Sequence, residues 1–413
     1  MRVLFSSNVI IPCIAETAGV LQANSAGWIE AIVSFLADED DMELGIICPG
    51  STEKKGKFRF GNYWIVPSGG EESCYRRILS EFNPDILHIF GSESERILKL
   101  ITLFGKPEKT IIHLQGIAEK YGAVYLNDIP KRYSRGRVIE TLLGHGLKKQ
   151  RDSLLRRGKT ERKALEMVGH VTGRTDFDRM AVESVSQSIQ YHFCWETLRS
   201  NFYQSEKWNV NKRVPFTILT RNTGSPIKGF HKMLEALPSI ISRYPNTMLN
   251  VVGAQIRYPQ TIKQHLVEHS YEALCRSIIE KNNLKDHIRF MGNLNEEEMI
   301  RAYLKSNVVV SASIIENSPN VICEAKILGV PIVSSFVGGC GNLIRHGHDG
   351  YLYDYYSADM LAYYVCKIFG NIELAQKISL NAIESQKKIS DRQENKKRLL
   401  EIYKEILDKS CLP

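Results

Sequence analysis

Two glutamates, Glu316 and Glu324, stand in the segment SIIENSPNVICEAKILGVPIV, the first in a loop and the second in the helix which that loop opens. An apolar run, NVVVSAS at 307–313, predicts the strand leading in. Ser318 predicts an N-cap and Pro319 a first-turn proline, so the helix should begin near Asn320. A helix N-terminus offers unpaired N–H groups and about half a positive charge, which suits a diphosphate. A carboxylate one turn inside can hold hydroxyls through charge-assisted hydrogen bonds. Phosphate and hydroxyls together describe a sugar linked to a nucleotide.

After Glu324-Ala325 come Gly329-Val330-Pro331, a second predicted strand at 331–335 and a glycine loop, Gly338-Gly339. The whole string resembles the signature of the retaining nucleotide-sugar glycosyltransferases of family 4, the bacterial glycosyl transferases group 1, in which two glutamates are separated by seven residues. The resemblance implies an α/β chain of GT-B fold, two doubly wound Rossmann-like domains facing across a cleft. It also implies that Glu316 lies at the donor sugar and that Glu324 holds the ribose hydroxyls. In the family a further strand, glycine-containing loop and helix carry an Arg and a Lys that neutralise the donor diphosphate. Arg221 and Lys228 stand at matching places in FTILTRNTGSPIKGFHKMLEAL, at a slightly wider spacing than the family pattern. A guanidinium takes two phosphate oxygens at once, whereas an ammonium acts as a point charge.

Other positions follow from the same resemblance. The stretch 288–313 matches the unit whose backbone, here at Gly292 and Asn293, would accommodate the base. His113 in TIIHLQGIAEKYG ends a predicted strand and stands where the family has a cleft histidine, able to bond a sugar hydroxyl or steady a departing phosphate. Gly27, near the start of the helix NSAGWIEAIVSFL, stands where a glycine-rich loop lets amides approach the donor, although Ser25-Ala26-Gly27 replaces a double glycine. Gly173-Arg174-Thr175 with Asp176 and Asp178 resembles a string of bacterial members, in which Arg174 either lines the cleft or pairs with an aspartate. His88 also ends a strand, with a core or rim place as the alternative to a ligand role.

Elements must position these groups. The 413 residues, 43% hydrophobic and 24% charged, suit a globular protein of two domains. Apolar runs predict strands at 2–6, 44–48, 62–66, 85–90, 110–114, 168–172 and 189–193, then at 216–220, 247–252, 287–290, 307–311, 331–335 and 350–353. Amphipathic stretches between them predict parallel sheets covered by helices. A polar break at 199–213 divides the two sets, giving an acceptor-binding domain over 1–200 and a nucleotide-sugar-binding domain over 201–390. The stretch 391–413 either crosses back to the first domain or ends the chain as an ordinary helix. No run approaches the roughly 18 apolar residues of a membrane span, and the chain opens directly on a strand, which reads as cytosolic. Nine cysteines without a Cys-x-x-Cys pair read as reduced thiols. His192 and Cys194 alternate on one strand, but nothing nearby completes a zinc site. Asp-x-Asp, the usual manganese anchor of the other major glycosyltransferase fold, is missing from any suitable loop, so no metal is expected and no cofactor besides the nucleotide-sugar donor.

The formal net charge is +8, and 131–163 carries twelve Lys and Arg against three acids. Such a stretch attracts an anionic membrane surface, at about 1 kcal/mol per basic side chain. Nucleic acid fits less well, because Tyr133 is the one aromatic interleaved there. The expected activity is a metal-independent, retaining transfer from a nucleotide-sugar donor to a glycan or lipid-linked acceptor. A GT-B nucleotide-sugar epimerase and a non-catalytic subunit of a glycosyltransferase pair are the alternatives. The epimerase would need no acceptor, and the silent subunit would be expected to lack the glutamates and the lysine.

Overall fold

The structure is a computed structural model that describes residues 1–20, 27–135, 140, 145–261, 264 and 267–409. It divides into two compact units, one of Met1–Ala118, Arg156–Arg199 and Ser390–Pro413, the other of Glu119–Leu155 and Ser200–Ile389.

The first unit holds strands β1 (Arg2–Ser7), β2 (Glu43–Gly50), β3 (Lys54–Phe58), β4 (Gly61–Pro67), β5 (Ile86–Phe90), β6 (Thr110–His113), β7 (His170–Gly173) and β8 (Gln190–Phe193). They form one sheet in the order β3-β4-β2-β1-β5-β6-β7-β8. Because successive side chains of a strand point to opposite faces, the apolar runs feed two cores. Val3, Phe5 and Ile46 join one, with Leu399, Ile402, Tyr403 and Ile406 of the helix Arg392–Lys409. Leu4, Ile47, Leu87 and Ile89 join the other. Tyr403 also lies 2.7 Å from His88 Nδ1, and burial holds that imidazole well below its ordinary pKa. Strand β3 was not expected: KKGKF has no apolar run, and it pairs antiparallel to β4 at the sheet edge, where lysines are tolerated.

One buried acid in this unit makes stability depend on pH. Glu161 accepts hydrogen bonds from Ser92 Oγ at 3.0 Å and Ala118 N at 2.9 Å, and burial, reinforced by the charge of Glu93, pushes its carboxyl up to about 7. The folded state thus holds the proton more tightly than the unfolded chain does. Stability therefore falls as pH rises from the ordinary carboxylate range through 7, by about 3 kcal/mol in all. Glu161→Gln removes the charge and can keep both contacts, its amide oxygen accepting from Ala118 N and its NH2 donating to Ser92 Oγ. Urea titration should give the variant a higher midpoint than wild type at pH 8 and a similar one at pH 5.

The second unit holds β9 (Thr217–Asn222), β10 (Met248–Gly253), β11 (Ile288–Gly292), β12 (Val308–Ser311), β13 (Ile332–Ser335) and β14 (Tyr351–Tyr353). All neighbours are parallel, in the order β11-β10-β9-β12-β13-β14. Chain order reverses between β9 and β12, the switch point outside which open α/β sheets bind ligands. Every strand expected from the sequence is present. The helix Asn320–Leu328, which follows β12, is fixed from below by Lys326, whose buried ammonium lies 2.9 Å from Asp349 and also donates to Leu343 O. The polar stretch after Arg199 is no bare linker, since Phe202, Trp208 and Val210 are buried and Trp208 Nε1 donates to Ser306 O at 2.7 Å.

Candidate functional site

Three loops meet at the carboxyl ends of β9, β12 and β13. The loop after β9 ends at Gly229, whose φ is +63° and where a Cβ would lie 1.7 Å from Ala312 O, so only glycine fits. Ile314 N donates to Ile227 O at 2.9 Å, fastening this loop to the one after β12. The loop after β13 closes from the other side: Gly339 N donates to Glu316 O at 3.0 Å, and a Cβ on Gly338 would meet that same oxygen at 1.9 Å. Glycines at 229 and 338 thus let three backbones approach one carboxylate.

That carboxylate is Glu316. Its Oε1 receives Lys228 Nζ at 2.6 Å and Ser313 Oγ at 2.6 Å. Its side chain is 6% exposed while that of Lys228 is 36% exposed, so the pair has one buried and one wet end. Oε2 of Glu316 has no hydrogen bond among the described residues and is open to a further donor. Glu324, also buried, accepts Tyr303 OH at 3.0 Å from the helix Glu296–Lys305. Asn320 is the first residue of its helix, as expected, but the cap differs from the expectation. Pro319 occupies the N-cap with no side-chain cap bond, and Ser318 Oγ is buried without a hydrogen-bond partner among the described residues. The physical reason is that Pro319 itself takes the non-helical backbone of a cap, with ψ 122°, so the serine lies one residue too early to reach the first-turn amides. An end lacking a side-chain cap keeps its donors for an anion.

Arg221 lies at the end of β9, exposed and without an ion pair among the described residues. Gly292, with φ +71°, ends β11 and is followed by exposed Asn293. All of these residues, with Lys228, Glu316, Asn320 and Glu324, stand at the carboxyl end of one sheet.

His113 belongs to the first unit and ends β6. Both ring nitrogens are engaged there, Nε2 with Glu196 Oε1 at 2.7 Å and Nδ1 with Thr172 Oγ1 at 3.0 Å. Burial opposes ionisation of Glu196, yet Arg174 and His113 outweigh it and hold that carboxyl below its ordinary range. Arg174 pairs with Glu196 at 2.8 Å rather than with an aspartate. Asp178 accepts the Arg174 and Thr175 amides, the latter in a capping box for the helix Asp176–Glu183. Gly27 is the first residue of the helix Gly27–Leu36, and Ser25 and Ala26 lie outside the described residues. In the basic stretch Lys148, Lys149, Arg156, Lys159 and Lys163 are exposed, Arg157 pairs with Glu93 and Arg151 with Asp152. Arg137 lies outside the described residues.

Sequence reasoning missed Ser313, Tyr303 and Glu196. Ser313 had a local signal, three positions before Glu316 in the same loop. The other two come from distant segments. Among the described residues no three or more His, Cys, Asp or Glu gather as metal ligands would, and no helix is long and apolar enough to cross a membrane.

Residues 204–385 match the family described as Glycosyl transferases group 1. Spore coat protein SA of Bacillus subtilis is 25% identical over 186 residues, 44% of this chain and 47% of that protein. D-inositol 3-phosphate glycosyltransferase of Corynebacterium urealyticum is 25% identical over 134 residues, 31% of this chain and 28% of that protein. The chain thus spans less than half the length of these curated relatives. Among solved structures, sucrose-phosphate synthase from Thermosynechococcus elongatus superposes with a TM-score of 0.70 at 14% identity, covering 99% of both chains. HepE of Anabaena in complex with UDP-glucose superposes with a TM-score of 0.68 at 14% identity, covering 98% of this chain and 100% of that one. At such identities the likeness shows the fold, which is GT-B.

Proposed function

We propose that this chain, a member of the glycosyl transferases group 1 family through residues 204–385, moves a sugar from a nucleotide-sugar donor to a glycan or lipid-linked acceptor with retention of configuration. The observation that carries the reading is the 2.6 Å contact of Lys228 with Glu316 at the switch point of the second sheet, beside a helix end lacking a side-chain cap. A half-exposed ammonium and first-turn amides meet a diphosphate. A buried carboxylate with one open oxygen meets a sugar hydroxyl. The complex of HepE with UDP-glucose supports a nucleotide-sugar as the ligand.

In the reaction the bond from the anomeric carbon to the diphosphate oxygen breaks and the acceptor oxygen takes its place on the same face. Arg221, Lys228 and the amides near Asn320 stabilise the charge that grows on the leaving diphosphate. Glu316 orients the donor sugar, Glu324 the ribose, and Gly292 and Asn293 line the base. The acceptor hydroxyl enters on the phosphate side and gives its proton to a phosphate oxygen, so the step needs no protein base and no metal. As the resemblance implies, His113 would bond a sugar hydroxyl or steady the departing phosphate, and Gly27 would let backbone amides approach the donor. Incubation with UDP-, GDP- and ADP-sugars, with and without glycan or lipid-linked acceptors, should show nucleotide release that requires acceptor. Release that needs none would replace transfer by epimerisation or hydrolysis.

A cytosolic enzyme working at a membrane surface completes the proposal. The eight described cysteines are all free and buried, as in a reducing compartment. The exposed lysines of the helix Leu147–Glu166 would meet anionic headgroups. Flotation with vesicles containing phosphatidylglycerol should show binding that is lost at high salt and on double substitution Arg156→Glu/Lys159→Glu. Binding unaffected by either would remove the surface from the account.

A further inference from the structure

The second unit includes a segment that leaves the first at Ala118, and its side chains reach the loops of the candidate site. Tyr121 OH accepts the N–H of Asn317 at 3.1 Å, and Asn317 directly follows Glu316. Tyr125 OH takes a hydrogen bond from Ser225 Oγ at 3.5 Å in the loop that carries Lys228, and itself donates to Gln150. The two tyrosines are four positions apart, hence on one face of the turn that closes the helix Ala118–Val124. Farther along, Asp128 takes Lys232 Nζ at 2.8 Å and lies 3.4 Å from both His231 Nε2 and Tyr355 OH. Glu140, buried, accepts the Ser270 N–H at 3.2 Å at the start of the helix Ser270–Lys281. Of the partners of Asp128, His231 and Lys232 lie in the first turn of the helix Phe230–Arg243, which the Lys228 loop opens, and Ser270, which donates to Glu140, begins another helix.

We infer that Tyr121 and Tyr125 are positioning residues of the donor site, one holding the backbone beside Glu316 and the other the loop beneath Lys228, with Asp128 and Glu140 docking the segment that carries them. This rests on the donor-site reading above. The Lys228 ammonium and the Glu316 carboxylate come from different loops, and their spacing sets where diphosphate and sugar lie relative to each other. A short helix that touches both loops fixes that spacing. Loss of the Tyr121 hydroxyl leaves the Asn317 N–H without this acceptor and lets the Glu316 loop shift. An error of an ångström at a reacting group is enough to cost large factors in rate.

Calorimetry with UDP, GDP and ADP on the full chain tests the inference. Tyr121→Phe should weaken the nucleotide that wild type binds by about tenfold, with its melting midpoint nearly unchanged. Asp128→Asn should weaken the same nucleotide although it touches neither loop residue. The double variant Tyr121→Phe/Lys228→Ala should bind no worse than Lys228→Ala alone, because both changes disable one arrangement. Wild-type affinity in Tyr121→Phe, or losses that simply add in the double variant, would overturn the positioning role and leave the donor site standing. Wild-type protein that binds none of the three nucleotides would overturn the donor site and the positioning role together.

Discussion

Glu316→Gln should cut the rate of sugar transfer by roughly 100- to 1000-fold while leaving the protein folded. The substitution is nearly isosteric, and the amide oxygen can still accept from Ser313, which donates to Glu316 Oε1 at 2.6 Å. What disappears is the charge that fixes Lys228 at 2.6 Å and the acceptor that Oε2 offers to a donor hydroxyl. Removing one preorganised polar group from a dry site costs about 2.7–4 kcal/mol of transition-state stabilisation. Stability responds less, because Lys228 is 36% exposed and returns to water when its partner is neutral. Turnover with saturating donor should carry most of the loss, and the melting midpoint should move by only a few degrees. A variant that turns over at the wild-type rate would remove Glu316 from the chemistry.

Lys228→Ala should act on binding. In the proposed site the ammonium would supply a charged hydrogen bond to the diphosphate, and such bonds contribute about 1.5–3 kcal/mol, which is roughly 10- to 100-fold in dissociation constant. The variant also leaves the buried Glu316 carboxylate without its cation, so part of the site turns repulsive toward an anionic ligand. Lys228→Arg should recover only part of the affinity, since the loop held by Gly229 against Ala312 leaves little freedom to reposition a planar fork. Titration of each variant with the donor used by wild type separates the two outcomes. Unchanged affinity in Lys228→Ala would place the diphosphate elsewhere.

Periodicity made the two sheets legible, because buried parallel strands are continuous apolar runs and each run in the chain became one. Strand β3 escaped since an edge strand of lysines has no such signature. The helix start at Asn320 was legible from Pro319, but the cap was not, because serine one residue earlier is the commoner capping type and only the backbone decides. Lys228 and Glu316 were legible as members of two motifs, yet nothing in either motif says that they touch. That contact is made by glycine-permitted backbone crossings at 229 and 338. His113 was legible as a strand-end histidine, whereas its engagement on both sides depends on Thr172 and Glu196, far along the chain. The docking of Tyr121 and Tyr125 is likewise a tertiary event, with polar partners about 100 to 200 positions distant.

At the carboxyl edge of the second sheet, Lys228 and the amides at Asn320 are proposed to bind a nucleoside diphosphate sugar. Isothermal calorimetry of wild-type protein and Lys228→Ala against a panel of UDP-, GDP- and ADP-sugars tests it most directly. Saturable heat is expected for at least one member of the panel, with a clear loss of affinity for that member in the variant. Absence of heat across the panel, or equal affinity in the two proteins, would contradict it.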